Sequence, residues 1–129
     1  MPVKVLMVCL GNICRSPLAE GILKSKVDPA EVVVDSAGTA GYHIGKAPDM
    51  RSIEVALQAG IDISHQKCRR FTPEDFNYFD YIFAMDRENL LHLQDLARDR
   101  TDLKKIFLLL EEAGIPGEEV PDPYYGGTD

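Results

Sequence analysis

Val8-Cys9-Leu10-Gly11-Asn12-Ile13-Cys14-Arg15-Ser16-Pro17 lies between an apolar run, Val5-Leu6-Met7-Val8, and a helical pattern that opens at Pro17. The order is strand, loop, helix, with a thiol at the end of the strand and an arginine six positions later. The first N–H groups of a helix have no intrahelical partner, and the macrodipole makes that end favour negative charge. A loop curling into it aims several backbone N–H groups at one spot, which suits a tetrahedral oxyanion. Gly11 allows a turn that other residues resist, and Asn12 tolerates left-handed geometry. Ser16 suits an N-cap and Pro17 the first helical position.

The charges suit the same ligand. The planar fork of Arg15 can clamp two phosphate oxygens. Cys9 is expected beneath the cradle, where the arginine and the helix end both favour thiolate over thiol. A thiolate there can attack phosphorus. Cys14 shares the loop; it can be a buried filler, the partner of a reversible Cys9–Cys14 disulfide that shields the nucleophile from over-oxidation, or both.

The chain has 129 residues, 45% hydrophobic and 27% charged, as in an ordinary globular protein. This is enough for one domain, residues 1–129, with a real core. Its 14 basic and 21 acidic residues leave a net charge of −7. That charge argues against nucleic acid or an anionic membrane as partner. No signal peptide or membrane-spanning apolar run is visible. The three cysteines, Cys9, Cys14 and Cys68, show neither a disulfide framework nor zinc spacing. A reducing, cytoplasmic setting follows. No metal-ligand cluster is visible, and neither metal nor cofactor is expected.

Along the chain, residues 3–8 read as a strand buried on both faces. A helix follows from Pro17, with Leu18, Ile22 and Leu23 on its apolar face and Asp28-Pro29 ending it. Residues 32–34 form the next strand, and residues 35–45 a glycine-rich loop holding Tyr42 and His43. A helix begins near Pro48-Asp49, carries Met50, Ile53 and Leu57 at helical spacing, and stops at Gly60. Thr72-Pro73-Glu74-Asp75 opens a short helix with a capping residue and a proline. Residues 81–85 read as a third strand. A helix capped by Asp86 and buried by Leu90, Leu93 and Ala97 follows, then a fourth strand over residues 106–110. His92 falls on a solvated face. The alternation points to a parallel α/β sheet with right-handed crossovers, whose ligands sit at the carboxyl ends of the strands. Cys9, Ser36 and Asp86 all fall near such ends.

The Cys-x5-Arg-Ser loop near the N-terminus closely resembles the signature of the low-molecular-weight protein tyrosine phosphatases. The likeness also takes in Asp35-Ser36-Ala37-Gly38-Thr39, Ser64-His65 and Asp122-Pro123-Tyr124-Tyr125-Gly126-Gly127. It implies a three-layer sandwich on a four-stranded parallel sheet of order 2-1-3-4, the flavodoxin-like phosphotyrosine phosphatase I fold. It also implies hydrolysis of protein phosphotyrosine through a cysteinyl phosphate, with Cys9 as nucleophile, Arg15 as phosphate clamp and Asp122 as general acid and then base. Read alone, Asp122-Pro123 would be an ordinary turn. Leu10, Gly11, Asn12, Ile13, Cys14 and Ser16 would make the phosphate loop, with Ser36 and His65 supporting it. Tyr42, Tyr124 and Tyr125 are candidates for the walls of the substrate pocket.

Ile13 bears on the substrate. The family's protein-arginine phosphatases carry a threonine at that loop position, so an apolar residue favours phosphotyrosine. Expected partners are phosphotyrosine proteins, with phosphate and other oxyanions as inhibitors. An arsenate reductase on the same fold would need a further pair of cysteines, and only Cys68 lies beyond the loop. A binding module without turnover is opposed by the joint presence of Cys9, Arg15 and Asp122. Family members usually continue past Asp-Pro-Tyr into a final helix, and the sequence to Asp129 is expected to lack it.

Overall fold

A computed structural model describes residues 2–10, 15–40 and 45–109. The elements run β1 (Val3–Cys9), α1 (Arg15–Lys24), β2 (Val32–Gly38), α2 (Met50–Gln58), α3 (Asp75–Tyr78), β3 (Tyr81–Ala84), α4 (Arg87–Leu96), α5 (Arg100–Leu103) and β4 (Ile106–Leu108). The strands form one parallel sheet of order β2-β1-β3-β4, as expected.

β1 is central, which explains its continuous apolar run: Val5, Leu6, Met7, Val8 and Cys9 are all buried. One face of the sheet sends Leu6, Val8, Ile82, Ala84, Ile106 and Leu108 against Phe76, Phe79 and Leu93. The other sends Val5, Met7, Cys9 and Val34 against Ala19 and Leu23 of α1. Helices thus cover both faces in three layers. Burying each large apolar side chain is worth about 1.5–3 kcal/mol.

Several elements depart from the periodicity. β2 runs through Asp35 and Ser36 to Gly38, so residues 35–38 are strand and not loop, and Ser36 lies inside β2. Its polar residues are satisfied there: Ser36 Oγ donates to the buried Glu20 at 2.5 Å, and Asp35 accepts from Arg69 Nε at 3.1 Å. Helix α1 begins at Arg15 and stops at Lys24. Ser25 Oγ donates to Ile22 O at 2.7 Å there, and Asp28 organises a separate turn by accepting from Ala30 N–H. The buried residues of α1 are Ser16, Pro17, Glu20 and Gly21, with Ala19 and the expected Leu23 half-buried against the sheet, while Ile22 is exposed.

Helix α2 packs on α1 and buries the small Ser52 and Ala56. Met50 is therefore 74% exposed and Leu57 is exposed too. Its end is a Schellman motif: Gly60, at φ 79°, donates to Leu57 O and Ile61 to Ala56 O. At α3 no hydroxyl cap forms; the Asp75 carboxylate instead accepts from Thr72 N–H at 2.9 Å. Asp86 caps α4 as expected, accepting from Asn89 N–H. α5, capped by Asp99, was not expected. β4 ends at Leu108, short of the expected residue 110.

Candidate active site

Cys9 is the last residue of β1 and is buried. The chain re-enters α1 at Arg15 and Ser16, beside it. Ser16 does not cap the helix: it lies within its first turn, and its Oγ stands 2.9 Å from Cys9 Sγ. Pro17 is likewise buried within that turn. A hydroxyl at this distance can donate to a thiolate and stabilise it. The adjoining backbone is pinned by the two residues that follow β2, since Thr39 N–H donates to Cys9 O and Ala40 N–H to Leu10 O, each at 2.9 Å. Leu10 is partly exposed at the rim.

Arg15 is oriented from the other side of the sheet. Its Nη1 donates to Asp86 Oδ2 at 2.8 Å, while Asp86 Oδ1 accepts from Asn89 N–H at 2.8 Å. One carboxylate thus caps α4 and fixes the guanidinium. Asp86 reaches this place because β3 pairs with β1 through Val8↔Ala84, and Met85 N–H donates to Val8 O.

Ser36 pairs with Met7, two residues before Cys9. Its partner Glu20 is also held by Lys24 Nζ at 2.6 Å, a buried carboxylate with both oxygens engaged. His65 is exposed. The residue of that turn that reaches α1 is its neighbour Gln66, whose Nε2 donates to Pro17 O at 3.2 Å. Ile63, fully buried, packs in the same place against Gly21. Cys68 is buried, and burial pushes its thiol up to about 11, which keeps it protonated at neutral pH.

The structure therefore brings Cys9, Leu10, Arg15 and Ser16 together, with Ser36 tied to α1 through Glu20. Gly11, Asn12, Ile13, Cys14, Tyr42, Asp122, Tyr124 and Tyr125 lie outside the described residues. Asp86, Glu20 and Gln66 were not identified for these roles from sequence, because their partners are 71, 16 and 49 residues away. The position of Asp86 just past a strand was the one available signal. Among the described residues, no group of three or more His, Cys, Asp or Glu is placed to hold a metal ion. No helix among them is long and apolar enough to cross a membrane.

Comparison with known proteins agrees with this fold. Residues 4–129 match the family model described as low molecular weight phosphotyrosine protein phosphatase. A phosphatase of that name from Schizosaccharomyces pombe is 42% identical, over 98% of this chain and 84% of its own. The crystal structure of a protein tyrosine phosphatase from Entamoeba histolytica superposes with a TM-score of 0.88 at 42% identity, covering 97% of this chain and 82% of that one. A Drosophila arginine phosphatase superposes at 0.86 with 39% identity, covering 98% and 83%. The chain belongs to the low-molecular-weight phosphotyrosine protein phosphatases and is a hydrolase of that type.

Proposed function

We propose that this chain hydrolyses protein phosphotyrosine with Cys9 as nucleophile, Arg15 as clamp and Asp122 as acid and base. The observation that carries the reading is the placement of Cys9 Sγ against Ser16 Oγ, beside an Arg15 already fixed by Asp86. The Cys9 thiolate attacks phosphorus; an S–P bond forms as the P–O bond to the tyrosine breaks. Asp122 gives its proton to the departing phenolate. Water then attacks the cysteinyl phosphate, its proton passing to Asp122, and the S–P bond breaks to release phosphate and the thiolate. Arg15 and the loop amides serve best where charge spreads over the equatorial oxygens in the transition state. Asp122 is supported by its Asp-Pro-Tyr-Tyr context alone.

Phosphoarginine is the second candidate substrate, because a Drosophila arginine phosphatase shares the fold. Ile13 favours phosphotyrosine over it. The deciding experiment is steady-state hydrolysis of para-nitrophenyl phosphate, phosphotyrosine and phosphoarginine in chelator by wild type, Cys9→Ser and Asp122→Ala. Phosphotyrosine is preferred, Cys9→Ser is inactive, and Asp122→Ala loses most on poor leaving groups. Turnover retained by Cys9→Ser removes the nucleophile assignment. An equal loss on good and poor leaving groups removes the acid.

A further inference from the structure

Cys9, Gly38 and Arg70 stand in one row across the sheet, since Cys9 pairs with Gly38 and Gly38 bridges to Arg70 in parallel. Residues in register share a face. The Arg70 side chain therefore leaves its backbone on the same side as the Cys9 thiol, two strand spacings or about 10 Å away. Arg70 is exposed, whereas Cys68, two residues earlier and on that same side, is buried. A further segment lies along this one: Gly45 N–H donates to Cys68 O and Cys68 N–H to Lys46 O, each at 2.7 Å. Lys46 is exposed, and the charges of Cys9 and Lys46 both act on the Cys68 thiol.

Arg70 and Lys46 differ from Arg69. Arg69 is bound by Asp35 and Asp75 on the opposite face. Neither Arg70 nor Lys46 pairs with a carboxylate among the described residues. In a chain of net charge −7, an acidic peptide is repelled everywhere except where such cations are exposed.

We propose that Arg70 and Lys46 form a cationic rim beside the Cys9 site that selects phosphotyrosine peptides carrying acidic residues next to the phosphotyrosine. This rests on the phosphotyrosine reading above. An extended peptide advances about 3.3 Å per residue, so residues up to three positions from the phosphotyrosine span the distance to Arg70. Exposed ion pairs are weak and are screened by salt, so the preference is modest, about three- to tenfold at low ionic strength.

The test compares kcat/KM for a phosphotyrosine peptide with Asp and Glu flanks against the same peptide with Asn and Gln. It uses wild type and the double variant Arg70→Gln, Lys46→Gln, at low salt and at about 0.5 M. Wild type prefers the acidic peptide by several-fold at low salt, and both high salt and the double variant erase the preference. Para-nitrophenyl phosphate, which has no flanks, is hydrolysed equally by both proteins. Equal kcat/KM on the two peptides in wild type, or a preference that survives the double substitution, overturns the rim alone. No turnover of either peptide overturns the phosphotyrosine reading and the rim with it.

Discussion

Arg15 is aimed by a residue 71 positions away, and this separates two roles within one carboxylate. Asp86 Oδ1 caps α4 and Asp86 Oδ2 holds the guanidinium. Asn is as good an N-cap as Asp but carries no charge for Arg15. Asp86→Asn is therefore expected to keep the melting temperature while lowering kcat/KM about ten- to a hundredfold, the scale of a misplaced transition-state contact. Steady-state kinetics beside thermal unfolding checks both halves; unchanged kcat/KM would remove the aiming role. A second contrast lies in the turn between α2 and α3. His65 is exposed, whereas Gln66 bonds the carbonyl of Pro17 in the first turn of α1. Gln66→Met fills the same space without a donor and is expected to lower kcat about tenfold. His65→Ala is expected to leave kcat near wild type. The opposite ranking of the two variants would return the supporting role to the histidine.

At the scale of elements, α1 is seated by a missing side chain. A methyl group at Gly21 would overlap Ile63 Cγ2, and Ile63 is fully buried. Alanine gains about 1 kcal/mol of helix propensity over glycine, but overpacking costs about 1–3 kcal/mol. Gly21→Ala is thus expected to lower stability by about 1 kcal/mol, read as a lower urea midpoint; a higher midpoint would show that the turn yields freely. This glycine also shows why the sequence reveals some elements better than others. β1 is legible because its continuous apolar run sits directly before turn and helix signals. Asp86 is legible as a cap for the same reason. The buried face of α1 is not, because Glu20 and Gly21 point inward for partners on other elements, Ser36 and Ile63. The length of β2 is hidden by Asp35 and Ser36, whose polarity is answered by Arg69 and Glu20. α5 is too short to show a period. It instead depends on the acid Asp102, whose carboxylate accepts from Arg98 Nε at 2.8 Å and from Arg98 N–H at 2.9 Å. The Arg98 hydrogen bond holds that carboxyl below its ordinary value. A lowered carboxyl contributes stability that is complete above the unfolded value of about 3.9 and is lost as pH falls through the folded one. Asp102→Asn is expected to flatten that part of the acid limb of the melting temperature against pH; an unchanged limb would place the acid sensitivity elsewhere.

Across the whole molecule, the order β2-β1-β3-β4 makes the chain leave β1 towards one edge for β2 and return to the other side for β3. The carboxyl ends of β1 and β3 therefore border the crevice where ligands bind in open parallel sheets. Cys9 ends one of these strands and Asp86 follows the other, with α1 and α4 starting beside them. An anion seated there touches groups from several elements at once, so its binding is coupled to the fold. A ligand that binds only the folded state stabilises by RT ln(1 + [L]/Kd), about 2.7 kcal/mol at a hundredfold excess over Kd. Inorganic phosphate at that excess is expected to raise the melting temperature by several degrees in wild type. Cys9→Ser, which keeps the arginine and the loop, is expected to retain the shift even though it hydrolyses nothing. Arg15→Ala is expected to lose most of it, because its guanidinium is the proposed direct partner of the bound oxygens. Melting curves against phosphate, with chloride at matched ionic strength as the control, separate these cases. An equal shift in Arg15→Ala and wild type would locate the stabilising anion away from Cys9.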